Sequence, residues 1–246
     1  KLKNRKINSA IVFTIMAIIA ISIISIALTP VTLQNDTFYT IKIGEHISKY
    51  GIDMQDPFSW HENLGYTYPH WGYDLITYYI YSAFGITGIY VATCILSAIL
   101  GITIYIVNTK LVKNRVLSFL ITIGAMYVIR GYIAARAQLV TFILFALTIL
   151  FIEKFLETKK KRYAVALIII PIIIANIHLA VFPFYFILYL PYIAEYIIAI
   201  LGETVIYRKL KIQKIKLKIK RLSKDNKNQE KAEKLKEDLN KLNEKV

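Results

Sequence analysis

Cysteine is nearly absent from the sequence, which has a single one, Cys94, among 246 residues. One cysteine excludes an internal disulfide, and its place inside an apolar segment predicts an inert thiol. The sequence also has no P-loop, no glycine-rich phosphate loop and no nucleophile elbow. These absences argue against the common nucleotide-binding and serine-hydrolase sites.

Histidine is scarce as well, with four residues in the chain. His46, His61 and His70 do not have the spacing of zinc ligands, so no metal site is predicted. Acidic residues number 16 against 31 lysines and arginines, which gives a formal net charge of +15. The cations lie in short blocks between apolar runs. That pattern sets the orientation of a membrane protein and does not indicate a nucleic-acid partner.

Apolar residues make up 56% of the chain, and the mean hydropathy is +0.49. Both values are typical of a multi-pass protein that is embedded in the cell membrane and contacts its lipids. The apolar runs predict an all-α, polytopic helical fold with about six membrane segments and both termini in the cytoplasm. The expected order is a basic cytoplasmic N-terminus at 1–9, transmembrane helix 1 at 10–29, an extracytoplasmic loop at 30–85, transmembrane helices 2–6 at 86–202 and a basic amphipathic cytoplasmic tail at 203–246.

The first apolar run could alternatively be a signal peptide. Its length and the lack of Ala-x-Ala-like cleavage chemistry before Pro30 favour a retained anchor. The tail has two interpretations, a solvated amphipathic helix that touches anionic headgroups and a coiled-coil helix that binds a partner, the second based on the heptad spacing from Ala232 to Val246. Because the chain lacks an initial methionine and stops within a charged helix, we expect a piece of a longer protein.

The first outside loop is predicted to contain two helices that lie on the membrane surface. Residues 36–50 have an amphipathic pattern, with Asn35 and Asp36 as candidate caps and Gly51 after the end. Residues 69–85 begin with a proline suited to a first helical turn and are rich in the aromatic residues of the headgroup zone. Asp56 and Pro57, between them, are typical of a turn.

Polar residues recessed from the outer surface are the strongest functional candidates. Residues 116–129 form an apolar run of about 14 residues, roughly 21 Å as a helix and too short for a full crossing. Arg130 and Arg136 should therefore lie at membrane depth, as should Asn176 and His178, where unpaired polar groups are costly. Arginine suits phosphate oxygens, so these residues predict an outward-facing cavity for an amphiphile with a phosphate headgroup.

Each candidate also has an ordinary structural explanation. Asp36 could do no more than cap a helix. Arg130 and Arg136 could extend to the headgroups, as long cationic side chains near helix ends often do. Asn176 and His178 could satisfy backbone groups at a helix break near Pro171.

Several short motifs together resemble bacterial multi-spanning membrane proteins related to the GT-C glycosyltransferases, over roughly residues 10–200. They are Asp36-Thr37-Phe38-Tyr39 with Gly44, Asp56-Pro57-Phe58-Ser59-Trp60, His70-Trp71, Arg136-Ala137-Gln138 and Asn176-Ile177-His178. The resemblance implies a catalytic aspartate in the first outside loop, at Asp36, and a polyprenyl-phosphate-linked sugar as donor. It implies substrate binding by Arg130, Arg136, Gln138, Asn176, His178, His70 and Trp71. Many GT-C enzymes have a second acidic residue paired with the first, and here none lies next to Asp36, so an inactive relative is included in the hypothesis.

The expected reaction needs no nucleotide. Asp36 would deprotonate or orient an acceptor hydroxyl or amide while the lipid phosphate departs, with arginine and optionally a divalent cation stabilising the leaving charge. The alternative is a non-enzymatic membrane transporter or envelope-assembly subunit. A transporter requires polar groups that continue into the cytoplasmic half, where the sequence offers little besides Glu195.

Overall fold

The fold is all-α over the residues that the computed structural model describes, which are 9–61, 64–203, 205–222 and 229–243. The predicted basic N-terminus, apart from Ser9, and Val246 of the predicted heptads lie outside these ranges. Two single turns of 3-10 helix, at Ile129–Tyr132 and Leu179–Val181, accompany the α-helices. The α-helices are α1 Ser9–Ala27, α2 Asn35–Tyr50, α3 Trp71–Val112, α4 Arg115–Val128, α5 Ala137–Thr158, α6 Lys161–Ile177, α7 Phe182–Ile187, α8 Leu190–Glu203, α9 Val205–Leu222 and α10 Gln229–Asn243.

Five helical stretches within the described ranges are long and apolar enough to cross a membrane, which indicates an integral membrane protein. The expected sixth, at 163–175, lies in α6, which has 17 residues and is not one of the five. Residues 116–129 were expected to be too short for a full crossing, but they belong to the longer stretch Arg115–Tyr132, which is one of the five. The five are Ser9–Ala27, Trp71–Val112, Arg115–Tyr132, Ala137–Thr158 and Leu179–Leu201.

Both helices predicted within residues 30–85 are present. α2 ends before Gly51, as predicted, and Gly51 adopts a positive φ of 79°. Its start differs from the prediction, because Gln34 is the N-cap residue and makes no side-chain cap hydrogen bond. The second of these helices is the first part of α3, which begins at Trp71 and is interrupted at Gly85, where φ is 64° and ψ is −157°. A conformation with positive φ favours glycine, so the predicted boundary at Gly85 is confirmed as a sharp bend. The prediction that Pro69 occupies the first turn of this helix is wrong, because His70 is the N-cap residue and Pro69 precedes the helix.

α3 is the central helix, and α1, α2, α4 and α5 all pack against it. Small residues allow a close approach between α1 and α3. A Cβ atom added to Gly101 would lie 2.6 Å from the Ser25 hydroxyl and 2.7 Å from Ile21. The Ser97 hydroxyl donates to the Ser25 carbonyl across the same contact, at 3.0 Å. Close packing of small residues with an interhelical hydrogen bond is how helices associate in lipid.

Pro171 interrupts the hydrogen bonding of α6, because a proline has no N–H to donate to the carbonyl four residues earlier. That carbonyl belongs to Leu167, and the hydroxyl of Tyr185 in α7 donates to it. Tyr185 is only 2% exposed. The carbonyl that Pro171 leaves without its helical partner therefore accepts a hydrogen bond from a buried side chain. This bond joins α6 to α7 across the turn at His178.

The contact between α2 and α3 depends on Gly44, and we expect Gly44→Ala to be strongly destabilising. A Cβ at this position would lie 2.1 Å from the Asp74 carbonyl oxygen and 2.6 Å from the Cβ of Tyr78, so the two helices would have to separate. Overpacking typically costs about 1–3 kcal/mol. Thermal unfolding in detergent should show a clear loss. Gly124→Ala in α4 is the matched control, because its added methyl group meets nothing within 4 Å, and an equal loss in both variants would contradict this account.

Residues Tyr189–Val246 form a second compact unit. α8 packs against α9, and α9 packs against α10. α9 is rich in lysine and arginine and contains no acidic residue. The predicted helical character of the tail is therefore present in 205–222 and 229–243. Its contact with headgroups or with a partner helix remains a prediction.

Candidate functional site

A cavity of about 490 Å³ lies where α2, the start of α3, the start of α5 and the turn after α6 meet. Five of the sequence-predicted site residues line it: Asp36, His70, Arg136, Gln138 and His178. The remaining lining residues are Tyr39, Thr40, Tyr66, Pro69, Tyr73 and Ala137. The predicted convergence of polar groups therefore occurs for these five.

Asp36 and Arg136 form an ion pair at this cavity, with Oδ2 and Nη2 separated by 2.6 Å. Asp36 lies in the first turn of α2, and Arg136 is the N-cap residue of α5. The neighbouring Thr37 hydroxyl donates to the Ala135 carbonyl at 3.3 Å and holds the two helix ends together. Asp36 therefore does not cap α2, and Arg136 is paired with a carboxylate instead of extending alone to the headgroups.

The Arg136 guanidinium has a hydrogen-bond donor without a partner among the described residues. Its Nε is buried and has no hydrogen-bond partner among the residues that the structure describes. A guanidinium offers five N–H donors in a planar fork that matches the oxygens of a carboxylate or phosphate. Leaving a buried donor unpaired costs about 1–3 kcal/mol, so an anionic ligand at Arg136 would remove that cost.

Arg130 is not among the residues that line the cavity. Its guanidinium Cζ lies 3.9 Å from the centre of the Tyr127 ring, and its Nη1 donates to the Tyr127 carbonyl at 3.1 Å. The reason is the 3-10 turn Ile129–Tyr132, which directs Arg130 back onto the last turn of α4. The expected pair of arginines at one site is thus reduced to Arg136.

Sequence analysis did not identify Asp74 as a candidate. The carboxyl group of Asp74 is 0% exposed, and its two oxygens lie 3.2 and 3.3 Å from Nδ1 of His70. The Thr40 hydroxyl of α2 also hydrogen-bonds to it. The spacing of four residues between His70 and Asp74, at a helix start, was the available signal.

His178 is the second imidazole of the cavity, and its ring centre lies 6.1 Å from that of His70. Its Nδ1 lies 3.1 Å from the Thr141 hydroxyl of α5. Burial, followed by the charge of His70, lowers the pKa of His178. His178 is therefore a neutral imidazole at pH 7.

Trp71 and Asn176 do not line the cavity but join its walls. The indole Nε1 of Trp71 donates to the Asn176 side-chain oxygen at 3.1 Å, and the Asn176 amide nitrogen donates to the Ile172 carbonyl at 2.7 Å. The Leu179 N–H donates to the Pro69 carbonyl at 2.8 Å alongside. These bonds hold the end of α6 against the start of α3, so both residues position the site.

The Asp56 motif lies in a turn. One carboxylate oxygen of Asp56 accepts a hydrogen bond from the Phe58 N–H at 2.9 Å, the geometry of an Asx-turn. Nearby, Tyr68 and His46 donate to Asp53, and the Tyr68 hydroxyl is the main cause that lowers the pKa of Asp53 to about 2. No cluster of three or more His, Cys, Asp or Glu side chains that could hold a metal occurs among the residues with described positions.

One apolar cavity adjoins the polar one, and a second apolar cavity adjoins the first. The first, of about 360 Å³, shares Tyr73 with the polar cavity and is also lined by Ala135 and Ile177, the neighbours of Arg136 and His178. The second, of about 450 Å³, lies beside the bend at Gly85. The two apolar cavities share Ile80, Ala92 and Ile95. A polar chamber therefore adjoins an apolar path along α3.

No family model, curated protein or solved structure matches the chain.

Proposed function

We propose that the chain is a GT-C-like integral membrane glycosyltransferase, or an inactive relative of one, that binds a polyprenyl-phosphate-linked sugar at the extracytoplasmic face. The observation that carries the proposal is the meeting of Asp36 and Arg136 at one cavity wall, 2.6 Å apart. An acidic group and a phosphate-binding group are the two parts that such a transfer requires.

Arg136 is the group assigned to the donor phosphate. Its unpaired Nε and its planar fork allow it to bind two phosphate oxygens at once. Its position at the N-terminus of α5 adds to this, because unpaired backbone N–H groups and the helix dipole favour an anion there. Binding of a phosphate would draw the guanidinium away from Asp36 and leave that carboxylate for the acceptor.

The adjoining cavities support an amphiphilic donor. The sugar and phosphate match the polar chamber of about 490 Å³, and an isoprenoid chain matches the apolar chamber that shares Tyr73 with it. Each Å² of apolar ligand surface that leaves water contributes about 25 cal/mol to the free energy of binding. The same apolar lining disfavours the transporter alternative, because a polar solute would have to pass through it.

In the proposed reaction the acceptor oxygen attacks the anomeric carbon of the sugar. The bond from that carbon to the phosphate oxygen breaks, and the electron pair leaves with the lipid phosphate. Asp36 orients the acceptor hydroxyl or amide, and Arg136 stabilises the leaving phosphate. A divalent cation, if one took part, would be held by the Asp36 carboxylate and would supply further stabilisation of the charge on the leaving phosphate.

The test of the proposal is transfer in proteoliposomes. Full-length protein would be supplied with radiolabelled polyprenyl-phosphate hexoses and a membrane fraction as the source of acceptors. We expect protein-dependent release of polyprenyl phosphate together with labelled product. Lipid binding without transfer of any supplied sugar would leave the inactive-relative form of the proposal, and absence of both would contradict it.

Orientation is a separate prediction. In a Cys94→Ala background, Gly65→Cys should react with an impermeant maleimide in intact cells, whereas Lys113→Cys and Lys160→Cys should react only after lysis, because cation-rich turns stay inside. All three positions are exposed in the structure. Labelling of Lys160→Cys from outside would place Asp36 on the cytoplasmic side, away from the expected donor.

A further inference from the structure

We propose that His70, oriented by the buried Asp74, accepts the proton of the acceptor hydroxyl or amide during sugar transfer. The inference rests on the proposed function and adds a catalytic residue to it. The geometry that points to it is a buried carboxylate placed against one nitrogen of an imidazole that lines the cavity.

The contact with Asp74 determines which nitrogen of His70 carries the hydrogen. Both oxygens of Asp74 lie within 3.3 Å of Nδ1, and a carboxylate only accepts hydrogen bonds. An ionised Asp74 therefore fixes Nδ1 as the donor of a neutral His70 ring, and Nε2 then carries the lone pair. His70 is 28% exposed and lines the cavity, so this lone pair belongs to a ring that solvent and substrate reach.

Burial of the Asp74 carboxyl group has a free-energy cost that a purely structural contact would not require. A fully buried carboxylate loses its hydration, which is tolerated when hydrogen bonds and an opposite charge compensate. Its partners are His70 and the Thr40 hydroxyl. The only one of the two that can become positively charged is His70. A carboxylate behind an imidazole is the arrangement that orients a general base and stabilises the imidazolium that it forms.

The other candidate bases of the cavity have no buried carboxylate behind them. Asp36 faces the cation Arg136 at 2.6 Å, and Nδ1 of His178 faces a neutral hydroxyl, that of Thr141, at 3.1 Å. The remaining titratable groups that line the cavity with His70 are the phenols Tyr39, Tyr66 and Tyr73, which carry no basic nitrogen. His70 is the lining base that has an acidic partner behind it.

The proton step balances without a further reagent. As the acceptor oxygen or nitrogen bonds to the anomeric carbon, its proton moves to Nε2 of His70, and the electron pair of the broken bond leaves on the phosphate oxygen. The imidazolium is held by Asp74 and then gives its proton to water or to the departing phosphate. His70 returns to its neutral tautomer.

The first test compares His70→Gln with His46→Gln in the proteoliposome assay. His46 is the matched control, because it also contacts a carboxylate, Asp53 at 3.0 Å, but does not line the cavity. His70 makes no side-chain cap hydrogen bond at the start of α3, so its replacement removes no helix cap. We expect kcat to fall about 10²-fold in His70→Gln with donor KM nearly unchanged, and His46→Gln to behave like wild type.

A second measurement distinguishes proton transfer from a positioning role. In His70→Gly, added imidazole should restore part of the lost rate, because the free base can occupy the vacated space; glycine is accepted at an N-cap. No restoration, together with an unchanged kcat in His70→Gln, would overturn the inference while leaving transfer itself established.

The role of Asp74 has a readout that does not depend on turnover. In ¹⁵N-histidine-labelled protein, His70 should be the tautomer protonated at Nδ1, and Asp74→Asn should abolish that preference and lower kcat about as much as His70→Gln does. A wild-type ring protonated at Nε2 would overturn the inference even if transfer is observed. Absence of transfer in wild type, with lipid binding intact, would remove the enzyme and the base together.

Discussion

Asp36→Asn is expected to lower sugar transfer from a lipid-phosphate donor by about 10²-fold or more, the typical loss when a positioned catalytic group is removed. Asparagine has nearly the same shape but cannot provide the negative charge that faces Arg136 at 2.6 Å. It also cannot orient an acceptor hydroxyl or bind a cation as a carboxylate does. Transfer would be measured in proteoliposomes at saturating donor.

The same substitution should leave the fold intact. Asp36 makes no cap hydrogen bond at the start of α2, and its side chain is 66% exposed. An ion pair this exposed contributes about 0–1 kcal/mol, so the melting temperature should stay close to that of wild type. Loss of transfer with normal stability separates a catalytic role from a structural one.

Asp56→Asn is the matched control for Asp36→Asn. Asp56 accepts the Phe58 N–H in an Asx-turn, which asparagine forms equally well. We expect this variant to retain most of its activity. Full transfer by Asp36→Asn, or an equal loss in both variants, would contradict the assignment of Asp36.

Arg136→Lys is expected to weaken binding of polyprenyl phosphate by about tenfold or more. Lysine keeps the positive charge, but it loses the planar fork that binds two oxygens, and a charge-assisted hydrogen bond is worth about 1.5–3 kcal/mol. The affinity would be measured by calorimetric titration of the detergent-solubilised protein with polyprenyl phosphate.

Arg130→Lys serves as the control, because Arg130 stacks on Tyr127 and does not line the cavity. It should bind the lipid phosphate like wild type. If Arg130→Lys loses affinity while Arg136→Lys keeps it, the phosphate site has been placed at the wrong arginine. Unchanged affinity in both would remove the phosphate role of either residue.

The sequence alone predicted most of the helices and the gathering of several polar candidates at one cavity. Apolar runs, Gly51 and Gly85 marked boundaries that depend on local chemistry, and the structure has turns with positive φ at both glycines. The number of membrane segments was less certain. Residues 163–175 are apolar, but they lie in α6, which ends at Ile177 after 17 residues with Pro171 inside it and is not among the five candidate spans.

The composition of the site depended on packing, which sequence patterns do not record. Arg130 and Arg136 look equivalent in the sequence. In the structure a 3-10 turn of four residues directs Arg130 onto Tyr127, whereas Arg136 lines the cavity. The local sequence does not show that Asp74 is buried; it is buried because Gly44 lets α2 approach the backbone of α3 at that point. Such contacts join residues distant along the chain, so single-sequence reasoning named Asp36, which lines the cavity, and did not name the carboxylate behind His70.

The most direct measurement is mass spectrometry of the lipid that co-purifies with the full-length protein. The account predicts a polyprenyl phosphate, free or joined to a sugar, at about one molecule for each site, retained in Arg130→Ala and depleted in Arg136→Ala. A phosphate-free lipid at the site, or equal retention of a polyprenyl phosphate in wild type and Arg136→Ala, would contradict it.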